Sequence, residues 1–296
     1  MAGRSVGTVA EVWRFPVKSM AGERLQAAEV SAGGVLGDRA YALIDDETGK
    51  VVSAKSVRHF PGILNCKARF AAKPKAGEPA PPVRIELPDG KVVASDGGEA
   101  EAALSALFGR AVTLARSAPE DFTIDQQFAD VEGADPEGRR NVVVAGKLGA
   151  AYFAAANIRS PVAASAFFDL FPMSVITTAT LRRLAALEPM SQFDVRRFRM
   201  NIVVETPGDG FVENEWVRSA LAVGADAALR IAMPDPRCVM TTLAQGDLAE
   251  DTGVLSALVK HNRVSAGDAR LFPCAGVYAV VTADGTIRPG DPVALG

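Results

Sequence analysis

Short β-branched segments separated by glycine and proline turns fill the first hundred residues, and this spacing limits the folds open to the chain. Val6–Phe15 is typical of a strand. Tyr41–Asp45 and Val51–Ala54 flank a Glu-Thr-Gly turn, and Arg84–Leu87 and Val92–Ala94 flank a Pro-Asp-Gly turn, so both pairs predict hairpins. Strands this short and this closely spaced favour a sandwich or a small barrel over a parallel sheet.

A few helices interrupt this strand pattern. Leucines at threefold spacing predict a helix over Thr178–Leu187, and a glycine stop at 109 predicts one over Glu99–Phe108. Val254–Lys260 predicts a third, shorter helix. Further strands are predicted in the second half at Ser174–Thr178, Ile202–Glu205, Ala227–Ala232 and a last hairpin of Gly276–Thr282 with Thr286–Arg288. The predicted class is therefore α+β and rich in β structure.

A polar, acidic stretch divides the chain. Residues 117–140 carry Asp-Pro and Gly punctuation, which is typical of a linker or a mobile loop. We therefore predict an amino-terminal domain over residues 1–116, a linker or mobile loop over 117–140, and a second domain over 141–296.

Composition excludes several classes of function. The chain has 296 residues, of which 48% are hydrophobic, and a formal net charge of −3, which argues against broad binding of nucleic acid or of a membrane surface. The start has no hydrophobic export core, and the uncharged run at Leu148–Ile158 is shorter than the roughly 20 residues that span a bilayer. We expect a cytoplasmic protein with no membrane or nucleic-acid partner.

The cysteines are few and far apart. Cys66, Cys238 and Cys274 form no Cys-x-x-Cys pair, and an odd number argues against a disulfide framework. With only two histidines in the chain, a Cys/His zinc site is also disfavoured.

Cys238 has the most suggestive surroundings of the three. It follows Met233-Pro-Asp-Pro-Arg and precedes Val-Met-Thr-Thr. The prolines disfavour a helix and leave the backbone in a loop or at a strand edge, where a side chain can face a cavity. Arg237 would favour the thiolate, which is the form that acts as a nucleophile or a metal ligand. Residue types alone leave a buried, inert thiol as an equal alternative.

Five motifs occur in one order along nearly the whole chain: Phe15-Pro-Val-Lys-Ser19, Gly37-Asp-Arg39, Arg199-Met-Asn-Ile-Val203, Arg237-Cys-Val-Met-Thr-Thr242 and Gly290-Asp-Pro-Val293. Together they resemble the MOSC-domain proteins, and within them the amidoxime-reducing group that has an amino-terminal β-barrel domain. The resemblance implies a β-barrel MOSC domain preceded by a smaller amino-terminal β-barrel-like domain.

That resemblance also implies a molybdenum cofactor (Mo-molybdopterin). In this family the cysteine of the Arg-Cys motif binds molybdenum beside the dithiolene of a pterin that carries one phosphate, and soft thiolate suits such a metal. The implied activity is reduction of N-oxygenated compounds of the hydroxylamine or amidoxime type. Because the chain has no cluster of cysteines for an iron–sulfur centre, electrons are expected from a separate ferredoxin, flavoprotein or b-type cytochrome. The alternative is a carrier of molybdenum cofactor or sulfur without turnover of its own.

The same resemblance assigns the site. Cys238 is the metal ligand and the residue at which catalysis would occur, and a lysine or arginine would contact the phosphate and pterin. Residue types alone favour a solvated charge at a strand end for Lys18, and for Arg39 they leave an ion pair with Asp38 or a neighbour as the alternative. The predicted cofactor-binding residues are Lys18, Ser19, Arg39, Thr177, Thr178, Arg199, Asn201, Pro236, Arg237 and Cys238. Cys66 and Cys274 are predicted to be structural.

Two departures from the family pattern bear on the substrate. Pro236 stands where the amidoxime-reducing proteins have a small polar residue, so a hydrogen bond to the cofactor is expected to be missing. The segment Leu243–Gly253 is longer than the corresponding loop of the mitochondrial proteins. Both predict a pocket of altered shape.

Overall fold

The computed structural model describes residues 3–267 and 269–296, and these residues form nineteen strands and four α-helices. None of the helices in this described part is long and apolar enough to cross a bilayer. The strands are β1 (Arg4–Arg14), β2 (Glu23–Leu25), β3 (Ala28–Ser31), β4 (Gly34–Val35), β5 (Ala42–Asp45), β6 (Lys67–Phe70), β7 (Val83–Glu86), β8 (Val92–Ala94), β9 (Val112–Ala115), β10 (Thr123–Gln127), β11 (Val143–Lys147), β12 (Met173–Thr177), β13 (Ile202–Glu205), β14 (Ala220–Val223), β15 (Ala227–Pro236), β16 (Arg263–Ser265), β17 (Leu271–Ala283), β18 (Gly285–Ile287) and β19 (Pro292–Leu295). The helices are α1 (Glu99–Phe108), α2 (Gly149–Ala155), α3 (Thr178–Leu187) and α4 (Gly253–His261).

Seven strands close into a barrel. Their order is β12, β13, β1, β19, β14, β15 and β17, and β17 pairs back onto β12. Only the pair of β12 and β13 is parallel among these seven described strands. The first strand of the chain thus completes a barrel whose other strands all follow residue 172, which ties the amino-terminal segment to the second half.

Apolar side chains fill the barrel and also cover one outer face. Inside, Val12, Val175, Leu229 and Val277 are fully buried in one cluster. On the outside, α3 and α4 pack Leu184, Val254 and Leu258 against Ile176 and Val203. All five residues of β12 are buried, including the polar Ser174 and Thr177, because both faces of this strand are covered.

A second core lies in the amino-terminal half. It joins the three-stranded sheet of β6, β7 and β8 to α1, with Leu43, Ile85, Leu104 and Val112 buried together. Gly109 ends α1 in the left-handed conformation at φ 62°. The predicted class, α+β and rich in β structure, is confirmed.

The predicted helix bounds agree with the structure better than the predicted strand pairings do. The helices predicted at 99–108 and 178–187 have those bounds. The stretch expected to form a linker, 117–140, contains β10, which pairs with β11. The last predicted hairpin is wrong, because β18 pairs with β3 and not with β17. The last residues of β17, up to Ala283, pair with β15, and the chain then leaves this sheet before β18 begins.

Gly276 in β17 allows the barrel to close tightly. Its φ is +76°, and an added Cβ would lie 2.2 Å from Met200 Cε and 2.6 Å from the carbonyl oxygen of Val175. Gly276→Ala should therefore lower the free energy of unfolding by roughly 3 kcal/mol, from the left-handed backbone and from overpacking together. Gly90→Ala is the matched control, since its φ is +86° with open space around it, and should cost only about 1 kcal/mol. Equal shifts of the two melting temperatures would contradict this account.

Candidate functional site

Cys238 lies where β15 ends and a single 3-10 turn, Val239–Thr242, begins. The Thr241 hydroxyl donates to the Cys238 carbonyl oxygen at 3.0 Å, and the Thr242 hydroxyl donates to the Val239 carbonyl oxygen at 2.7 Å, so both hydroxyls hold the turn. The Cys238 side chain is partly exposed and lines a cavity of about 380 Å³. The thiol therefore faces open space instead of filling a core.

The other two cysteines differ from Cys238. Cys66 and Cys274 are fully buried, and burial raises the pKa of each thiol to about 12. They are suited to packing and not to ligation at neutral pH. Among the described residues no three His, Cys, Asp or Glu side chains form a metal-binding group. A metal held by Cys238 would thus need ligands that come with a cofactor.

A smaller cavity of about 80 Å³ adjoins the first and shares four of its lining residues, Lys55, Asp169, Arg237 and Tyr278. Its lining includes five cationic side chains and two carboxylates. The cations are Lys18, Arg39, Lys55, Arg199 and Arg237, and the carboxylates are Asp169 and Asp235. This excess of positive charge in a largely buried pocket suits an anion such as a phosphate group.

One carboxylate organises two lysines in this pocket. Asp169 pairs with the ammonium groups of Lys18 and of Lys55, the latter at 2.7 Å, and Lys18 also donates to the Phe167 carbonyl oxygen at 2.9 Å. Burial lowers the pKa of Lys18 to about 8, although the charge of Asp169 opposes it. Burial also acts to lower the pKa of Lys55, but the charge and hydrogen bond of Asp169, together with the other acidic groups nearby, outweigh it and the pKa is raised.

A second buried carboxylate, Asp38, joins three distant segments. It accepts the Phe15 backbone N–H at 2.7 Å and the Asn201 side-chain amide at 2.9 Å, and it pairs with the guanidinium of Arg39. The ion pair that the sequence offered as the alternative role of Arg39 is thus present. The same guanidinium lies 4.9 Å from the ring centre of Phe15 and lines the smaller cavity.

Arg199 also lies close to that ring. Its guanidinium is 4.3 Å from the centre of Phe15 and donates to the Met20 carbonyl oxygen at 2.7 Å. Burial, with the nearby charge of Arg39, lowers the pKa of Arg199 to about 9.

Backbone strain is concentrated at this pocket. Ser19, Arg39 and Arg199 have φ of 67°, 49° and 53°, and they are three of the six non-glycine residues with positive φ in the described chain. Left-handed conformations at such residues are uncommon and tend to cluster at functional sites.

The remaining predicted residues have mixed placements. Ser19 and Asn201 line the smaller cavity, but the Ser19 hydroxyl accepts the Ala54 N–H at 2.8 Å and the Asn201 amide is bonded to Ser174 and Asp38. Pro236 lines the larger cavity.

Arg237 reaches both cavities, yet its guanidinium donors are used inside the protein. They bind the carbonyl oxygens of Phe198 and Ala275, each at 2.9 Å, and the carboxylate of Asp235 at 2.5 Å. Arg237 therefore fixes the segment that carries Cys238.

Thr177 and Thr178 are not brought together with the others. Thr177 caps α3 by accepting the Thr180 N–H at 3.2 Å, and it donates to the buried carboxylate of Glu213 at 2.7 Å. Thr178 accepts from Arg182 at 3.0 Å. Neither threonine is among the described residues that line the two cavities.

Four ionisable residues of the pocket were not predicted from the sequence: Lys55, Asp169, Asp235 and Tyr278. Asp169 pairs with lysines that lie 151 and 114 residues away, and no local pattern reports such a partner. Asp235 and Tyr278 are hydrogen-bonded to each other across β15 and β17. The Met-Pro-Asp-Pro segment contained a usable signal, because an aspartate between two prolines on a buried strand requires a partner.

The closed barrel, the cysteine turn and the adjoining cationic pocket define a β-barrel protein with a candidate ligand site, and comparison with known families makes the class specific. The family model for the MOSC N-terminal beta barrel domain matches residues 6–105, and that for the MOSC domain matches residues 164–294. The chain belongs to the MOSC-domain proteins that carry this amino-terminal barrel domain. The predicted family and fold are both confirmed.

The curated relatives are distant but match nearly the whole chain. Mitochondrial amidoxime-reducing component 1 of Homo sapiens is 25% identical, over 99% of this chain and 84% of that protein. Mitochondrial amidoxime reducing component 2 of Macaca fascicularis is 27% identical, over 98% of this chain and 84% of that protein. The crystal structure of the YuaD protein from Bacillus subtilis aligns with 100% of this chain and 98% of its own at 12% identity and a TM-score of 0.45.

The low pKa of Lys18 predicts a pH-dependent anion site. A bound dianion favours the charged ammonium, so affinity should be constant below about pH 8, where Lys18 is already protonated, and should fall as pH rises above it. Sulfate is the suitable probe because its charge does not change in this range, and calorimetric titration measures its affinity. Lys18→Met should weaken binding by about tenfold or more, whereas the exposed Lys75→Met should not. Sulfate affinity that is the same at about pH 7 and about pH 9 would rule out this role for Lys18.

Proposed function

We propose that this protein binds a molybdenum cofactor through Cys238 and works as an oxidoreductase on N-oxygenated compounds of the hydroxylamine or amidoxime type. Membership of the MOSC-domain family and the names of the curated relatives support an oxidoreductase-like role. The observation that carries the proposal is the partly exposed Cys238 thiol in a cavity of about 380 Å³ that opens onto the cationic pocket.

The residues present fit such a cofactor. A single thiolate is a soft ligand, and the dithiolene sulfurs of the pterin would supply the other soft donors, which agrees with the lack of a multi-residue metal group in the described chain. Lys18, Arg39 and Arg199 line a pocket whose positive excess would hold the phosphate end. We assign to the cofactor site the predicted residues that line these cavities, together with Lys55. They are Lys18, Ser19, Arg39, Arg199, Asn201, Pro236, Arg237 and Cys238.

The two proposed domains would share the site. Lys18, Arg39 and Lys55 lie within residues 1–116, and Arg199 and Cys238 lie within residues 141–296. On this division the cofactor would bind between the domains, and folding of both halves would be needed to complete the pocket.

When bound, the cofactor supplies two-electron oxygen-atom transfer. Reduction of a hydroxylamine to an amine consumes two electrons and two protons and releases water. The electrons would come from a separate ferredoxin, flavoprotein or b-type cytochrome, and we place the reaction in the cytoplasm. The chain's own part is to hold the cofactor, to exclude alternative ligands and to deliver protons.

The chain has a candidate proton donor at the cavity wall. The Tyr278 hydroxyl lines both cavities and is hydrogen-bonded to Asp235, a carboxylate that is 2% exposed. Burial raises the pKa of Asp235 to about 6, although Arg237 opposes the shift, and burial also raises the pKa of Tyr278 well above its usual value. Tyr278 thus stays protonated at neutral pH, and its hydroxyl, which donates to Asp235, would turn to donate toward a substrate oxygen in the cavity.

A carrier of cofactor or of sulfur is the second candidate. A carrier would be expected to enclose the cofactor, whereas the partly exposed thiol and the adjoining cavity favour access by a substrate. Metal binding without turnover would support the carrier.

Cys238→Ala tests the metal ligand. Protein purified from cells that make the cofactor should contain molybdenum by mass spectrometry and should reduce hydroxylamine with a chemical electron donor. The variant should lose both, because the protein's thiolate ligand is gone. Cys66→Ala is the matched control, since that thiol is buried in the amino-terminal core, and should keep its metal per folded molecule. Wild-type protein without molybdenum would reject the cofactor proposal.

Tyr278→Phe tests the proton donor separately. The variant should retain molybdenum but reduce hydroxylamine roughly 100-fold more slowly, which is the usual scale for loss of a positioned acid. The pH profile of turnover should also change, which a purely structural role would not cause. Exposed Tyr152→Phe at the wall of the same larger cavity is the control and should keep its rate. Unchanged turnover in Tyr278→Phe would show that the protons come from elsewhere.

A further inference from the structure

A third cavity, of about 200 Å³, lies behind the cationic pocket. It is formed where the end of β1 meets the loop after Thr242, and residues of the amino-terminal half close one side. Arg199 lines both this cavity and the cationic pocket, whereas Cys238 lines neither. We call it the Trp13 cavity. The proposed cofactor chemistry gives it no role.

The floor of the Trp13 cavity is aromatic and apolar. The rings of Trp13 and Phe15 are stacked with their centres 6.3 Å apart and their planes 12° from parallel. Leu64, Val195 and Met200 complete the apolar wall. A flat ring is the shape that such a floor binds best, because it can stack on the aromatic faces and bury apolar area.

The side-chain amide of Gln245 is a hydrogen-bond donor that a polar group of a ligand could use. Gln245 lines the cavity and is 7% exposed, and its side-chain nitrogen is buried without a hydrogen-bond partner among the described residues. Its backbone is fixed by two 2.9 Å hydrogen bonds with Leu248, and the next residue, Gly246, donates to the Asn65 side chain at 2.7 Å. A buried amide that is held in place without a partner is uncommon in folded proteins and calls for an acceptor.

Arg199 offers a second set of donors. A guanidinium has five N–H donors, and the side chain of Arg199 makes one hydrogen bond, to the Met20 carbonyl oxygen. The other cations at this cavity, Lys67 and Arg196, are already paired with Glu86 and with Asp194 and Asp247. The acceptor that fits Gln245 and Arg199 together is therefore a carboxylate, which can accept from both.

We propose that the Trp13 cavity is a binding site for a small aromatic carboxylate, with its ring on Trp13 and Phe15 and its carboxylate on Gln245 and Arg199. The volume admits one or two fused rings and is below the usual range for drug-sized ligands. The site does not need the cofactor, because none of these contacts involves Cys238.

Titration with 2-naphthoate tests the site through tryptophan fluorescence. Trp13 should report binding, since the other tryptophan, Trp216, is 2% exposed inside the barrel core. Naphthoate should quench the emission saturably, and Trp13→Phe should remove that signal. The neutral analogue 2-naphthalenemethanol should bind about tenfold more weakly, because it lacks the charge that Arg199 recognises.

Gln245→Leu should weaken naphthoate by about tenfold, since it removes the unpartnered donor at similar volume. Gln26→Leu, at an exposed glutamine in the segment between β2 and β3, is the matched control and should have no effect. If Gln245→Leu lowers the melting temperature, Gln245→Glu gives a second test, because it places a negative charge against the carboxylate and should weaken binding further.

Two results would overturn the proposal. One is the lack of saturable binding at millimolar naphthoate, which would mean that water alone fills the cavity. The other is equal affinity in wild type and Gln245→Leu. Cys238→Ala should still bind naphthoate saturably and at least as tightly as wild type, so a protein that fails to bind molybdenum leaves this test informative.

Discussion

The buried carboxylate of Asp38 is the contact on which the arrangement of the site depends. It accepts from the Phe15 N–H and from the Asn201 amide, and it pairs with Arg39. These partners come from the segment after β1, from a turn and from the start of β13, so one acceptor fixes three chain segments that are far apart in sequence. A carboxylate that is buried this deeply is tolerated only because its oxygens are fully engaged. Removal of any one donor would leave a charge without compensation beside the pocket.

The pocket repeats this principle with two more carboxylates. Asp169 holds two lysines that would otherwise repel each other, and Asp235 pairs with the guanidinium that fixes the Cys238 turn. The lining still has more cations than carboxylates. Burial penalises the charged forms of Lys18 and Arg199 and lowers the pKa of each. A bound anion would favour those charged forms, which is the physical reason to expect one there.

Sequence reasoning succeeded where the signal is local. Leucines at threefold spacing lie within α3 and a glycine stop directly follows α1, so both helices were predicted with their bounds. Strand partners are not encoded locally: β18 follows β17 directly in sequence but pairs with β3. For the site, motifs identified residues by type, but Lys55 and Asp169 matter through a partnership that only the folded chain creates. Thr177 is the opposite case. It was predicted as a cofactor-binding residue, but in the folded chain its hydroxyl caps a helix.

Arg199 connects the cationic pocket, which contains residues of the family motifs, to the Trp13 cavity. Its guanidinium lies 4.3 Å from the centre of Phe15 and lines both the cationic pocket and the Trp13 cavity. Arg199 belongs to one of the motifs on which the family resemblance rests, whereas Gln245 lies in the segment Leu243–Gly253, which the sequence comparison predicts to depart from the family pattern. A ligand that neutralises Arg199 from the Trp13 cavity would reduce the positive charge available to an anion in the pocket, and by thermodynamic linkage an anion in the pocket would weaken that ligand by the same factor. Divergence of one surface loop can thus alter the cofactor end of the site without changing a residue of the cysteine turn.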